Sequence, residues 1–441
     1  MKKIVIAGGG ASGLIAGIMA ARRGAEVCIL EHKDSVGKKI LVTGNGKCNI
    51  TNLSDMNGKY YSSNEKSLAK IISSISRFNA KDTLKLFEDM GLRCREKREG
   101  GVYPASEQAS AVLEVLRDEC LKLGIKIATD CEVKSINVTE HKRYIEYIKY
   151  IRADKEVDDK NNKGKKGKQN NKIIGEERGQ MEYDSLILAT GGKALPSSGS
   201  DGSGYKLARS LGHDIILPLP ALVQLKCVYD NANNIDVFKI VAGVRAQASL
   251  RLFVEDKQCA CEEGELQLTD YGISGIPVFQ FSRIAARALY EGKRCKVYID
   301  FMTDMSQNDI SKYLKKFEYK TLADALAGVV HRKVAEMICV ANGISLREKI
   351  KNISEDILSG CTNMIKNWEV SVVNTNSFDN AQVCSGGVPL DEVSDDFESL
   401  KCKNVYIVGE LLDCDGLCGG YNLQWAWTTG VIAGMAASRW R

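Results

Sequence analysis

The spacing Gly8-x-Gly10-x-x-Gly13 constrains this chain more than any other feature, because it stands between a short apolar run, KIVIA, and a small-residue helical stretch that ends near Arg23-Gly24. A second apolar run, EVCIL, follows and closes on Glu31. Strand, glycine turn, helix and strand within about thirty residues make the opening unit of a dinucleotide-binding fold. Gly8 permits the tight turn, Gly10 lets a pyrophosphate approach the backbone, Gly13 lets helix and strand pack closely, and Ala11 and Ser12 complete the phosphate turn. A carboxylate at Glu31, about twenty residues on, accepts both hydroxyls of an adenosine ribose and repels a 2′-phosphate.

That motif alone leaves FAD and NAD open. The next segment, GKKILVTGNGKCNITN, carries a second glycine turn, Gly44-Asn45-Gly46. An NAD unit needs no such continuation, whereas the longer pyrophosphate-ribityl chain of FAD must be covered from a second side. LATGG, which contains Thr190 and Gly191, adds a third backbone-only approach, and VGE, with Gly409 and Glu410, a fourth suited to ribityl hydroxyls. Four such approaches imply a bound flavin.

With 441 residues, 44% apolar and 27% charged, the chain should hold two or three domains at about 100–200 residues each. That composition excludes a disordered chain, a collagen and a disulfide-stapled mini-protein. No apolar run approaches the ~18–20 residues of a membrane span, so a cytoplasmic protein without a membrane partner is expected. Fifteen Cys, an odd number without C-x-x-C pairs, read as reduced thiols in a reducing compartment. The C-A-C at Cys259 and Cys261 and the pair Cys414 and Cys418 lack zinc-ligand spacing and neighbouring His, so no metal is expected. Residues 160–172 carry six Lys and no acid, so the formal charge of +5 becomes −1 once they are set aside. The fold itself is electrically balanced, and overall charge is poor evidence for nucleic-acid binding.

Helical spacing marks 84–91 and 109–124, and strands are expected at 126–139 and 184–189. The polar stretch 154–180 between them reads as a solvated hairpin tip. Short β-like runs at 221–228, 246–254 and 296–299 suggest an inserted β-rich domain, and 308–369, with an amphipathic run at 323–341, is helical. A strand at 404–408 and a helix at 424–439 return to the opening grammar, so the C-terminal segment should complete the first domain.

Taken together, GGGASG, GKKILVTGNGKCNITN, LATGG followed by GSDGSGYKLARSLGH, TDYGISG, CSGGV and GELLDCDGLCGGYNLQWAWTTG resemble the BaiN-like family of bacterial FAD-dependent flavoproteins. The resemblance covers essentially the whole chain. It implies an α/β fold: a Rossmann-type FAD-binding domain of the glutathione-reductase and fumarate-reductase kind at 1–195 and 380–441, an inserted β-barrel-like substrate domain at 196–305 and 370–379, and a small helical domain at 306–369, with the flavin where they meet. Matched residue by residue, it implies adenine and ribose near Glu31 and the Val133 backbone, the pyrophosphate near Gly8 to Gly13 and Lys39, the ribityl chain near Thr190, Gly191 and Glu410, and the isoalloxazine near Asn422 and Leu423. Many members have Thr-His-x-Gly where this chain has Thr269-Asp270-Tyr271-Gly272, and Val-Thr-x-Gly-Gly where it has Val383-Cys384-Ser385-Gly386-Gly387. Pro-Thr is likewise replaced by Leu417-Cys418. The substrate is therefore expected to differ from theirs.

A reduced flavin delivers hydride, and the easiest acceptor without metal or covalent chemistry is a C=C conjugated to a carbonyl. A donor to the carbonyl stabilises the developing enolate, and an acid protonates the neighbouring carbon. Tyr271, Asp270 and Tyr421 are the candidates for these roles, with Cys384 and Cys418 as weaker proton donors. Each has a plainer reading, a packed tyrosine or a small buried thiol. The resemblance implies one branch that reduces 3-oxo-4-ene bile-acid intermediates and another that reduces a ribosomal RNA uridine to dihydrouridine. A third reading is a flavin-bound redox sensor. The second glycine cluster, Gly199 to Gly204, is weak as a separate NADPH site: Pro196 precedes it in place of a buried strand, and no acid or Arg closes a following strand. NAD(P)H visiting the flavin transiently, or a ferredoxin, is the expected electron donor.

Overall fold

Strand Lys3–Ala7 lies at the middle of a five-stranded parallel sheet ordered Val405–Ile407, Ser185–Leu188, Lys3–Ala7, Glu26–Leu30, Lys126–Ala128. Its residues 4–7 are all buried, as expected of a parallel strand covered on both faces. The architecture comes from a computed structural model, which describes residues 1–139, 142–153, 172–230 and 235–440. Ala7 pairs with Leu30 on one side and Leu188 on the other, and Leu188 pairs with Ile407. This register brings the ends of four strands level, so that Gly8, Glu31, Ala189 and Val408 all leave the sheet at one edge. The carboxyl edge of a parallel sheet is where such folds bind ligands.

Helix Ala11–Ala21 packs against the last helix, Tyr421–Ala437, by backbone approach. A Cβ on Gly430 would lie 2.6 Å from the Ser12 carbonyl, and one on Gly434 2.3 Å from that of Ala16. Both ends of the chain thus share one core.

Two compact units are observed, 1–218 with 385–441, and 219–384. Strands Ile216–Ala221 and Val383–Gly387, which carry the two boundaries, pair as a two-stranded sheet. The inserted segment was expected from 196, but helix Ser203–Ser210 buries Tyr205 and Ala208 in the first unit's core, which moves the boundary to 218/219. The second unit is built on a closed six-stranded barrel of Leu225–Val228, Gly272–Ser274, Lys257–Thr269, Arg245–Val254, Cys295–Asp300 and Trp368–Thr375. Helices from 307 to 366 share one apolar cluster with that barrel, through Ile310, Leu322, Val334 and Leu358 beside Val297 and Trp368. The expected helical segment is therefore not separated from the barrel by a core of its own.

Other differences have local causes. The run 323–341 is two helices, Leu322–Leu326 and Arg332–Ala341, because Thr321 and His331 each cap a new start by accepting from Asp324 N–H and Lys333 N–H. Residues 173–180, expected in the hairpin tip, belong to strand Ile173–Glu182, which pairs with Arg143–Arg152. That strand is mostly exposed and carries Gly175 and Gly179, so no alternation marks it. The lysine-rich stretch lies outside the described residues except for Lys172. Among the described residues no helix is long and apolar enough to cross a membrane.

None of the fifteen cysteines forms a disulfide, and only Cys259 and Cys261 are exposed. Burial pushes the thiols of Cys48, Cys120 and Cys361 up to about 12. We expect a disulfide reagent at pH 8 to label these two thiols within seconds and the three buried ones only after denaturation. Rapid labelling of Cys48 in the native protein would contradict this packing. Because the folded values exceed the unfolded ~8.5, these thiols favour the native state below about pH 8.5 and cease to do so as pH rises towards 12.

Candidate dinucleotide site

Gly8 turns at φ 105°, with its N–H donating to Leu30 O at 2.8 Å, and a Cβ there would stand 2.4 Å from Ala189 O. Only glycine meets both conditions. At Gly13 a Cβ would collide with Gly8 O at 2.0 Å, whereas at Gly10 it would meet nothing within 4 Å. The first contact is helix-to-strand packing, and the second leaves open space at a helix N-terminus. Leu14 N–H is bonded to Gly10 O, so the N–H groups of Ala11, Ser12 and Gly13 precede the helix's own ladder and can serve an anion. We expect Gly10→Val to leave the melting temperature of the dinucleotide-free protein within about 2 °C while abolishing dinucleotide retention, and Gly13→Val to yield little folded protein. Calorimetry and bound-flavin absorbance check both, and an unstable Gly10→Val protein would count against open space there.

Glu31 is 7% exposed and its two oxygens are both engaged, Oε2 accepting from Gly9 N–H and Oε1 from Lys33 N–H, each at 2.8 Å. Each carboxylate oxygen retains a second lone pair for a hydroxyl. Cys131 N–H donates to Glu31 O, so the strand carrying half-buried Val133 departs from beside this carboxylate. Gly199, in the second glycine cluster, faces the same place: a Cβ on it would meet His32, Lys33 and Glu31 Oε1 within 3.6 Å. Gly204 lies against Thr190 and Gly191 against Ser200. The cluster is thus a wall of the first site, a role its spacing did not suggest. His32 Nε2 is buried without a hydrogen-bond partner, 3.7 Å from Asp201 Oδ2. Burial works to raise the Asp201 carboxyl, but hydrogen bonds from Ser203 and the charges of His32 and Lys33 hold it below the ordinary value. Thr190 Oγ1 is also buried and unpartnered.

The other expected contacts gather around this edge unevenly. Gly37 N–H donates to Gly9 O at 2.9 Å, which seats the second glycine segment on the first. Lys39 Nζ pairs with Glu410 Oε2 at 2.6 Å, so these two expected cofactor residues meet each other across the chain. Gly44, Asn45 and Gly46 have successive φ values of 56°, 55° and 82° and stand exposed. Gly409 turns at φ 68° against Ser12, its N–H bonded to Thr429 Oγ1 and its carbonyl to Trp425 Nε1. Asn422 spends its side chain on the preceding loop, accepting from Gly416 N–H and donating to Gly416 O, both at 2.8 Å. What it and Leu423 retain are main-chain N–H groups at the helix start, since Gln424 N–H is already bonded to Gly420 O.

Sequence reading missed the residues that hold these segments in place. Gln424, fully buried, accepts from Thr51 and Thr83 hydroxyls and donates to Phe78 O and Thr428. Trp427 Nε1 donates to Ile50 O, and Asn52 Nδ2 to Gly419 O. The signal for Gln424 and Trp427 was present as polar and Trp residues inside an otherwise apolar helix, YNLQWAWTTG.

The five expected reaction residues occupy different settings. Tyr421 is 5% exposed, edge-on to Tyr60 at 5.9 Å, and burial pushes its phenol up. Cys418 is half-buried and its thiol is likewise raised by burial; Cys384 is 3% exposed in strand Val383–Gly387. In the barrel unit, Asp270 and Tyr271 form an exposed turn between Lys257–Thr269 and Gly272–Ser274. Gly272 presses that turn onto the neighbouring strand, where a Cβ would meet Leu225 O at 2.2 Å, and Tyr271 O accepts from Cys227 N–H.

The HI0933-like protein Rossmann domain family matches residues 2–436. The chain is 40% identical over 449 residues to the 3-dehydro-bile acid delta(4,6)-reductase of Clostridium scindens, covering 99% of each. It is 27% identical to the ribosomal RNA dihydrouridine synthase of Haemophilus influenzae, over 99% of this chain and 98% of that one, and 25% identical to that of Escherichia coli, over 96% and 95%. With its opening strand, glycine turn and parallel sheet in place, the chain belongs to the HI0933-like Rossmann family.

Proposed function

We propose that this protein is an FAD-dependent oxidoreductase that reduces a C=C conjugated to a carbonyl, with a 3-oxo-4-ene bile-acid or steroid intermediate as substrate. The observation that carries the reading is the 40% identity, over 99% of both chains, to a reductase named for bile-acid double bonds. FAD fits the site on physical grounds: open space at Gly10, free helix-start N–H groups, lone pairs on Glu31, and buried Thr190 Oγ1 and His32 Nε2 that lack a hydrogen-bond partner. Glu31 and the Val133 backbone would hold adenosine, Gly8 to Gly13 and Lys39 the pyrophosphate, Thr190, Gly191 and Glu410 the ribityl chain. Gly44 to Gly46 would cover the chain from the other side. The N–H groups of Asn422 and Leu423 would face the ring edge that becomes anionic on reduction.

When bound, the flavin supplies a hydride to the β-carbon; one proton added at the α-carbon completes the reduction. Among the candidate residues, Tyr271 and Asp270 are exposed and polar, and suit a donor to the carbonyl and a proton source. Tyr421, Cys384 and Cys418 are more buried and fit packing roles better. Tyr271→Phe is expected to lower kcat about 100-fold with KM changed less than about threefold, the signature of a lost transition-state donor. An unchanged kcat would remove Tyr271 from the chemistry.

NAD(P)H or a ferredoxin is the proposed source of electrons, and the cytoplasm the proposed location, consistent with fifteen cysteines outside any disulfide. The reading is tested anaerobically by reducing the flavoprotein with dithionite, adding a 3-oxo-4-ene steroid acid, and following flavin reoxidation together with product. Reoxidation with saturated product supports it. No steroid turnover, with dihydrouridine formed in ribosomal RNA from a deletion strain, would replace it by the second reading, which the two dihydrouridine synthases favour. Flavin reduction with neither acceptor consumed would leave the redox-sensor reading.

A further inference from the structure

The barrel strand Leu225–Val228 carries the Tyr271 turn on one side and Asn376 on the other. Cys227 N–H donates to Tyr271 O at 3.0 Å, while Asn376 N–H donates to Gln224 O at 2.9 Å, just past the pairing of Leu225 with Thr375. Two stretches a hundred residues apart in sequence are thereby fixed to one strand, and their side chains meet: Asn376 Nδ2 lies 3.4 Å from the Tyr271 hydroxyl. The orientation of an amide has to be read from its partners. Here Asn376 Oδ1 accepts from Ser377 N–H at 3.0 Å, which turns the NH2 group towards the tyrosine.

An amide NH2 can only donate. The Tyr271 oxygen is therefore the acceptor in this contact, and its own proton must point elsewhere. Tyr271 is 37% exposed, so that direction is open to a ligand. We infer that Asn376 is a positioning residue that holds the Tyr271 hydroxyl with its proton outward, as a hydrogen-bond donor to the substrate carbonyl. The inference rests on the enone-reductase reading. No covalent bond changes at Tyr271: its O–H donates a hydrogen bond that strengthens as the carbonyl oxygen gains charge. Donation from Asn376 also polarises the hydroxyl, which makes it the stronger donor. Asn376→Asp would reverse the arrangement, because a carboxylate accepts the phenolic proton and withdraws it from the substrate.

The test compares Tyr271→Phe, Asn376→Leu, Asn376→Asp and the double variant Tyr271→Phe/Asn376→Asp in the FAD-loaded full chain. Single-turnover reduction of a 3-oxo-4-ene steroid acid is measured together with the 13Cζ resonance of tyrosine, assigned to Tyr271 by its loss in Tyr271→Phe. Asn376→Asp is expected to lose rate nearly as severely as Tyr271→Phe, about 30–100-fold, and Asn376→Leu about 5–10-fold, with KM little changed. The double variant should be no slower than Tyr271→Phe alone, and the 13Cζ resonance should move in both Asn376 variants. Loss of rate in Tyr271→Phe with wild-type rates in both Asn376 variants would overturn the inference and leave the reductase reading standing. If no enone is reduced at all, the reductase reading falls; an unmoved Tyr271 resonance in Asn376→Asp would then overturn the positioning as well.

Discussion

Glu31→Gln is expected to emerge from purification largely without flavin, and to rebind added FAD about 100–1,000-fold more weakly than the parent. The carboxylate presents two acceptor oxygens at the strand end, and each already orders one backbone N–H, on Gly9 and Lys33. Glutamine keeps one acceptor and sets an NH2 against the other N–H. It would also forfeit the charge-assisted bonds proposed to the ribose hydroxyls, at about 1.5–2 kcal/mol each, and about 1.4 kcal/mol is a factor of ten. The measurement is the flavin-to-protein absorbance ratio after desalting, then fluorescence titration of the apoprotein, with circular dichroism to confirm folding. Stoichiometric flavin and an unchanged Kd would show that the adenosine is held elsewhere.

Gln424→Leu should destabilise the first unit by about 3 kcal/mol or more, with little change in the intrinsic packing volume. The side chain satisfies two threonine hydroxyls, from Thr51 and Thr83, and a main-chain carbonyl, Phe78 O, from a position with no solvent access. Leucine leaves the two hydroxyls without an acceptor. Thr428 still donates to Phe78 O at 2.7 Å, which keeps the loss below the sum of the separate bonds. Urea unfolding at 25 °C measures it. A loss under about 1 kcal/mol would mean that the threonines find other acceptors. Because Thr51 lies one residue before the end of the second glycine segment, weaker FAD retention should accompany the loss of stability.

The opening unit was legible because every rule it obeys is local. A buried five-residue strand, glycines at fixed offsets and an acid after the second strand are each set within a few residues of one another, and strands Lys3–Ala7 and Glu26–Leu30 appear where their apolar runs stand. The β-rich insert was legible as short apolar runs, but not its closure into six strands, which depends on pairing Leu225–Val228 with both Gly272–Ser274 and Trp368–Thr375. Helices Ser67–Arg77 and Ile276–Tyr290 went unread. The first has a short amphipathic face among serines, and the second carries Pro277 in its first turn, inside the stretch 196–305 read as a β-rich insert.

By itself, then, the sequence determined the kind of edge this protein's parallel sheet has, since glycine turns and an acid after the second strand follow from residue type and spacing. Only the tertiary structure decided which residues that edge keeps. Register brought the glycine turns level, folded the second glycine cluster onto Glu31, paired Lys39 with Glu410 and left Thr190 without a partner. The physical reason is that a turn is fixed by its own φ and ψ, whereas a hydrogen-bond partner hundreds of residues away is fixed by sheet register and by how closely two helices approach.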